Sequence, residues 1–395
     1  MRRISTFLLF CMMAVPAFAD EPLKLLIFPL SGSAEGVGAW VGEGIALSLS
    51  GQLAEAEIRP FSHGETEDLF MENGLPQGVT LSRGSMIFVA EQAAADFVVM
   101  GSYAENEGGL KLSGRLLDMK TMKQGSEYNV SGSPATLPDM ENELAWMIYS
   151  DIARTSAVSR DQFRERMRRI PNSAYAAYVE SLDVFDESQK LQLLEKAVKE
   201  YADFAEARFR IGLILYQKKD YARALPHMEY GRKLQNERLK SEFMIGTCRL
   251  QLDETKQAIE EYTRLLSATR HAAALNNLAI AHVRSGDNVQ ALRVLTDARE
   301  QERDNPSIAI NLIIARYLAG NAPSAIEAVE ETLSAYPGNG MLYFLSSFLM
   351  GEAGNKTRAS EDEARAARFG IDVDGLLREK PQTWMRVILN WTNEE

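Results

Sequence analysis

Ile211-Gly212-Leu213-Ile214-Leu215-Tyr216, followed after three residues by Asp220-Tyr221-Ala222-Arg223-Ala224-Leu225, is the stretch that decides the fold. Its second alanine, Ala224, recurs: Ala224, Ala258, Ala291, Ala325 and Ala359 are separated by 34, 33, 34 and 34 positions. Each opens a helix-compatible run such as Ala258-Ile259-Glu260-Glu261-Tyr262. Twelve residues before each stands Gly212, Gly246, Ala279, Ile313 or Ser347. Between the two marks falls a turn at constant phase: Lys219-Asp220, Asp253-Glu254, Gly286-Asp287, Gly320-Asn321 and Gly354-Asn355.

Two antiparallel helices joined by a tight turn need a small residue where they cross, and the alanine supplies it. Gly followed by Asn or Asp supplies a helix end that tolerates left-handed backbone. Each helix pair has an apolar face it cannot cover alone, so neighbours stack into a superhelix. Residues 211–216 with 220–225 resemble a tetratricopeptide repeat, as do Asn277-Leu278-Ala279-Ile280-Ala281 to Gly286-Asp287 and Ala325 to Tyr336-Pro337. Units start near Ala205, Leu239, Ala272, Pro306 and Gly340. They depart from the family pattern where Arg249 and Arg316 replace an aromatic, and only one unit carries the closing proline, Pro337. A more divergent unit begins near Pro171, with Tyr175, Tyr178 and Leu182 on its first helix and Leu191, Leu194, Ala197 and Val198 on its second. The repeats thus cover 171–370. Segment 371–395 reads as a capping element, because Trp384, Val387, Ile388 and Trp391 share a face if Pro381 to Trp391 is helical.

Upstream the period changes. Leu25–Leu30, Glu57–Phe61, Phe97–Gly101, Leu110–Asp118 and Glu127–Ser131 read as strands. Trp40–Leu53, Ser85–Ala95 and Leu137–Ile152 read as helices. The expected fold class is therefore an α/β domain with a mixed sheet over 20–155, a helical linker over 156–170, and an all-α solenoid. Ile27-Phe28-Pro29-Leu30 before a Gly-rich link, and Ala95 to Tyr103 continuing to Gly114-Arg115-Leu116-Leu117-Asp118, resemble the N-terminal domain of TolB-like proteins. That resemblance implies a periplasmic domain serving protein contacts.

The bulk properties are compatible with export. Arg2 and Arg3, the apolar run Phe7–Val15 and Ala17-Phe18-Ala19 form a signal peptide over 1–19 with cleavage after Ala19. Phe7–Val15 is far short of the roughly 20 residues that span a bilayer. Bulky Phe10 before Cys11 argues against lipidation. Cleavage would take the formal charge from −12 to −14, because only Arg2 and Arg3 are lost, and would leave Cys248 as the single cysteine. A chain this acidic is a poor ligand for nucleic acid, and one cysteine makes no internal disulfide. Periplasmic localisation, no spanning segment after residue 19, and partners among cell-envelope proteins are the expectations.

Catalytic and cofactor constellations are missing from the sequence. Gly36-Val37-Gly38-Ala39-Trp40-Val41-Gly42 approaches a dinucleotide fingerprint, but its third glycine comes one residue late and no acid ends the second strand. A small-ligand or nucleotide sensor using the loop 32–44 is the alternative reading. His63, His227, His271 and His282 have no second ligand at metal spacing, and there is no Gly-Lys dipeptide for a phosphate loop. The chain reads as non-enzymatic, with no cofactor. Arg160, Arg164, Arg166, Arg168 and Arg169 read as a solvated linker with Asp161 and Glu165 as partners; an anionic surface is the other use.

The resemblance to tetratricopeptide arrays implies that a peptide partner would lie along the first helices of the repeats. Counted from the unit starts, Phe209 and Phe243 share the fifth position, Asn277 and Asn311 the sixth, and Tyr216 and Tyr317 the twelfth. Asn is a poor helix former. A pair of them at one phase is explained either by inter-helix hydrogen bonding or by contact with a peptide backbone, to which an amide can donate and from which it can accept. The aromatics read as core or as partner anchors.

Overall fold

The computed structural model describes residues 22–33, 41–54, 58–75, 81–106, 109–153, 158–166, 170–182, 184–234 and 237–391. Segment 1–19, with the expected signal, lies outside them, as do Gly36, Gly38, Arg168 and Arg169. The chain divides into two compact units, 1–167 and 168–395.

The first unit is built on a mixed sheet. Strand β1 (Leu23–Ile27) runs parallel to β3 (Ile58–Pro60) on one side and to β4 (Phe97–Asn106) on the other. Antiparallel β5 (Gly109–Asp118) and β6 (Lys123–Gly132) continue it, giving the order β3-β1-β4-β5-β6. Short β2 (Ser31–Ser33) also pairs with β4, so the strand expected over 25–30 ends at Ile27 and pairing resumes only at Ser31. Alternation along β1 divides its side chains between two faces. On one, Leu26 and Phe28 meet Val89 and Ala90 of α3 (Arg83–Gln92), with Leu69 and Phe70 of α2 (His63–Glu72) packed against them. On the other lie α1 (Val41–Leu53) and α4 (Leu137–Ile152), where a Cβ added to Gly114 of β5 would stand 3.2 Å from Leu144. Helix α2 was not visible as a period because its sequence is mostly polar; its start is marked instead by a capping box between Ser62 and Glu65.

The described part of the basic run, Arg160 and Arg164, is tied to the first unit, with both side chains still about half exposed. Helix α5 (Arg160–Arg166) packs on α4, with Phe163 buried against Trp146 and Tyr149 at ring-centroid distances of 5.4 and 5.0 Å. The i, i+4 pair Arg160 and Arg164 converges on Glu143 of α4, the second bond at 2.7 Å, instead of pairing with Asp161 or Glu165. Those two bonds hold the Glu143 carboxyl below the usual carboxylate range, the Arg160 contribution being the larger.

The second unit is a run of antiparallel helix pairs: α6 (Asn172–Glu180) with α7 (Glu187–Glu200), α8 (Ala205–Gln217) with α9 (Tyr221–Gly231), and α10 (Arg238–Gln251) with α11 (Thr255–Ala268). Then come α12 (Ala272–Ser285) with α13 (Asn288–Gln301), α14 (Pro306–Leu318) with α15 (Ala322–Ala335), and α16 (Gly340–Glu352) with α17 (Lys356–Arg368). Ala224, Ala258, Ala291 and Ala325 are fully buried at the crossings. Gly246 shows why the facing mark must be small: a Cβ there would come within 2.9 Å of the Tyr262 ring. The turns share one backbone step. Gly286, Gly320 and Gly354 take φ of +86°, +80° and +81°, and Lys219 and Asp253 take +60° and +58° at the same phase. The next residue caps the following helix in four of the five, as when Asp287 accepts the Gln290 N–H at 3.1 Å.

The C-terminus departs from expectation. Pro381 to Trp391 is not one helix: after α18 (Val373–Leu377), a single 3-10 turn at Pro381–Trp384 gives way to chain with no helical hydrogen bonds through Trp391. A helix would have satisfied its own backbone, whereas here side chains of the repeats do so.

Candidate functional site

The first helices of the repeats line a groove, and residues 385–391 lie in it. The run starts at Trp384, whose ring stands edge-on to Phe344 and Phe348 of α16 at 4.8 and 5.0 Å. Its indole N–H donates to the Leu376 carbonyl at 3.0 Å. From there the chain runs toward the earlier repeats. Asn311 of α14 accepts the Arg386 N–H at 2.7 Å and donates to the Arg386 carbonyl at 2.8 Å. One repeat earlier, Asn277 of α12 accepts the Ile388 N–H at 2.9 Å and donates to the Ile388 carbonyl at 2.7 Å. Tyr216 of α8 donates to the Leu389 carbonyl at 2.8 Å. Trp391 ends the run, stacked parallel on His271 with centroids 4.0 Å apart and tilted against Phe243 at 5.6 Å.

The geometry is that of a β-ladder with side-chain amides in place of a partner strand. In extended chain, the N–H and C=O of one residue point the same way, and those of the residue two positions on do so again. Two residues advance the chain by about 7 Å, close to the roughly 8–10 Å between packed helices. Hence Asn311 and Asn277, one repeat apart, each meet both main-chain groups of every second residue, 386 and then 388. Reciprocal bonding fixes each amide's orientation, since only Nδ2 donates and only Oδ1 accepts.

A buried polar network holds the amides in place. Asn276 donates to the Arg386 carbonyl at 3.0 Å and to Asn277 Oδ1 at 3.1 Å, and accepts from Asn311 at 2.7 Å. Asn277 also donates to the Tyr262 hydroxyl at 3.2 Å, which in turn lies 2.9 Å from Thr247 Oγ1. Asn276, Asn277 and Asn311 are all fully buried. Such a network is stabilising only when its members are satisfied, and the main chain of residues 386–388 completes it. Burial drives the hydroxyls of Tyr216 and Tyr262 above the usual tyrosine range, so both remain neutral.

Of the residues singled out in the sequence, Asn277, Asn311, Tyr216 and Phe243 meet this segment, while Phe209 and Tyr317 are placed elsewhere. Phe209 packs inside its own repeat, where a Cβ on Gly231 would be 2.5 Å from its ring. Tyr317 stands edge-on to Phe348 at 5.1 Å, one ring removed from Trp384. Sequence reasoning passed over Asn276, His271 and the two tryptophans as a pair of anchors. The adjacent Asn276-Asn277 in an otherwise apolar helix was the available signal.

Among the described residues, Cys248, His227 and His282, also weighed for chemistry, stand in the packing of the repeat helices. Burial pushes the Cys248 thiol up to about 12, which leaves it an inert core residue. His227 and His282 are shifted down by burial. Among the described residues, no cluster of three or more His, Cys, Asp or Glu is arranged to hold a metal, and no helix is long and apolar enough to cross a membrane. In the Gly-rich segment, Gly32 and Gly42 are required by neighbouring backbone: a Cβ would lie 1.9 Å from the Tyr103 carbonyl oxygen and 2.0 Å from that of Leu30, respectively.

Family models of the tetratricopeptide repeat match residues 191–232 and 282–343. The tetratricopeptide repeat-containing protein trd-1 of Caenorhabditis elegans is 28% identical over 151 residues, 38% of this chain and 20% of that protein. The chain thus spans about a fifth of the length of this curated relative. Among solved structures, YrrB, described as a TPR protein with an unusual peptide-binding site, aligns over 47% of this chain and 98% of its own at 16% identity and a TM-score of 0.38. MamA of Desulfovibrio magneticus RS-1 aligns over 42% and 96% at 16% identity and a TM-score of 0.39.

Proposed function

We propose that this chain, whose helical unit is a tetratricopeptide-repeat solenoid, is a non-enzymatic scaffold that grips extended peptide segments of partner proteins in the groove of its first helices. One observation carries the reading: Asn277 and Asn311 each engage both the N–H and the C=O of one residue in a chain that has no secondary structure of its own. Main-chain recognition of this kind gives affinity without demanding a particular side chain at the gripped positions, and flanking seats for aromatic groups add the selectivity.

Two further parts of the proposal rest on sequence. Residues 1–19 have the charge, apolar core and small-residue end of an export signal, which supports a periplasmic location. Ile27 to Leu30 and Ala95 to Asp118 resemble the TolB-like N-terminal domain, which supports a role in cell-envelope assembly or maintenance through a second protein-binding face.

Fractionation of cells expressing the chain, with N-terminal sequencing of the product, tests the location. The expected result is a periplasmic protein beginning at Asp20, and a cytoplasmic product retaining Arg2 and Arg3 would overturn it. A photocrosslinker at Tyr216 tests the groove: crosslinks to an envelope protein should disappear in the Asn277→Ala, Asn311→Ala double variant. Crosslinks that persist undiminished would place binding elsewhere.

A further inference from the structure

The run of Arg386 to Trp391 through the groove is a binding event between two parts of one chain. The ties that hold it are the main-chain bonds to Asn276, Asn277, Asn311 and Tyr216, and the seat of Trp391 on His271 and Phe243. None of these is a helix or strand hydrogen bond, so the segment can leave while every repeat helix stays folded. Its proximal end has a separate anchorage in Trp384, wedged against Phe344 and Phe348 and bonded to Leu376. Release therefore hinges just after Trp384.

Resting on the groove reading above, we propose that residues 385–391 are a resident, displaceable occupant that keeps the groove closed until a partner's segment of the same chemistry replaces it. That chemistry is an extended chain, free of constraint on the side chains at the two gripped positions. It bears a tryptophan-sized aromatic group three residues beyond the second of them, as Trp391 follows Ile388. Arg386 projects an exposed side chain and Ile388 a half-buried one, so the grips themselves read little sequence. Selectivity lies in the parallel stack of half-buried Trp391 on buried His271, since an aromatic seat at the end of a main-chain ladder fixes the register. Covalent attachment gives the tail an effective concentration on the order of millimolar, and a competing peptide loses affinity by the fraction of time the groove is filled.

The test uses the full chain and a fluorescein-labelled peptide of the sequence Met385–Trp391, followed by fluorescence anisotropy. Trp391→Ala in the full chain weakens the resident tail but leaves the groove intact. This variant should bind the peptide at least about tenfold more tightly than the unaltered chain does. A peptide with alanine at its last position should bind neither. Equal binding by the unaltered chain and Trp391→Ala, abolished by Asn277→Ala, would overturn the resident-occupant proposal while leaving the groove as a peptide site. Binding by neither would overturn the groove reading itself. Light scattering closes the remaining route: a dimer that Trp391→Ala dissolves would mean the tail fills the groove of a second copy, and self-occlusion within one chain would be wrong.

Discussion

In the α/β unit, Gly32 and Gly42 sit where a neighbouring carbonyl oxygen passes within 2.0 Å of a Cβ position, and Arg160 and Arg164 converge on Glu143. In the helical unit, Asn276, Asn277 and Asn311 are fully buried on apolar helices, with their amides turned onto the main chain of residues 386–388. Both units thus hold residues of types that invite a functional reading. In the first, the local fold itself uses them up. In the second, they are satisfied by a segment that makes no regular structure. The difference teaches which kind of oddity to follow. Glycines and charges on a surface have many structural uses, whereas a buried amide must find a partner, and whatever it finds is held with specificity.

The largest effect that bears on this contrast is expected at Gly42. A methyl group there would collide with the Leu30 backbone, which cannot swing aside as a side chain would. Gly42→Ala should destabilise the α/β unit by about 3 kcal/mol, the upper end of what overpacking costs. Urea unfolding monitored by circular dichroism would read it. A variant as stable as the unaltered chain would mean that the glycine serves something other than packing, and the contrast would fail on that side.

On the other side, Asn277→Ala removes both bonds to Ile388. The expected cost to global stability is about 1–2 kcal/mol, because the tail can turn to water once released. Hydrogen exchange is the more discriminating measurement. The amides of Arg386 and Ile388 should lose protection in Asn277→Ala and Asn311→Ala and retain it in Tyr262→Phe, which deletes the hydroxyl's bonds to Asn277 and Thr247 and none to the segment itself. Loss of protection in Tyr262→Phe alone would mean that the asparagines serve helix packing, as in the first unit.

Much of the solenoid was legible because a tight helix crossing admits only small residues, so Ala224 to Ala325 mark the array at nearly constant spacing. The turns were legible in the last three units, where Gly takes the left-handed step. They were fainter at Lys219 and Asp253, which adopt the same backbone at φ near +60° without glycine's signature. The groove was only half legible. Identical phase singled out Asn277 and Asn311 but left inter-helix bonding and contact with a backbone as alternatives; the amides make both kinds of bond, and nothing in the sequence said which backbone. Val387, Ile388 and Trp391 fit a helical stripe as well as an extended run, since the period of a short apolar segment cannot separate the two. What decides the matter is the groove, a product of four repeats brought together from positions far apart in the chain. Helix α2 escaped for the opposite reason: its sequence is too polar to show a period, and only its cap was readable.

The smallest effect tests the charges at α5. Glu143 receives two guanidinium bonds, yet both arginine side chains are about half exposed, at 49% and 51%, so solvent screens the pairs. Glu143→Gln should therefore cost only a few tenths of a kcal/mol at neutral pH. The pH dependence carries more information than the size. The folded-state pKa of Glu143 is lowered, chiefly by the Arg160 bond, so the unfolded chain binds this proton more readily than the folded one. The contribution is then fully present above the ordinary carboxylate pKa of about 4.3 and fades as pH falls through the lower folded value. Melting temperatures of the unaltered chain and Glu143→Gln, measured from pH 7 downward, should converge below about pH 4. A gap that instead persists into acid would mean the arginines are held there by something other than this carboxylate. The basic run would then return to the set of features that await a partner, beside the asparagines of the groove.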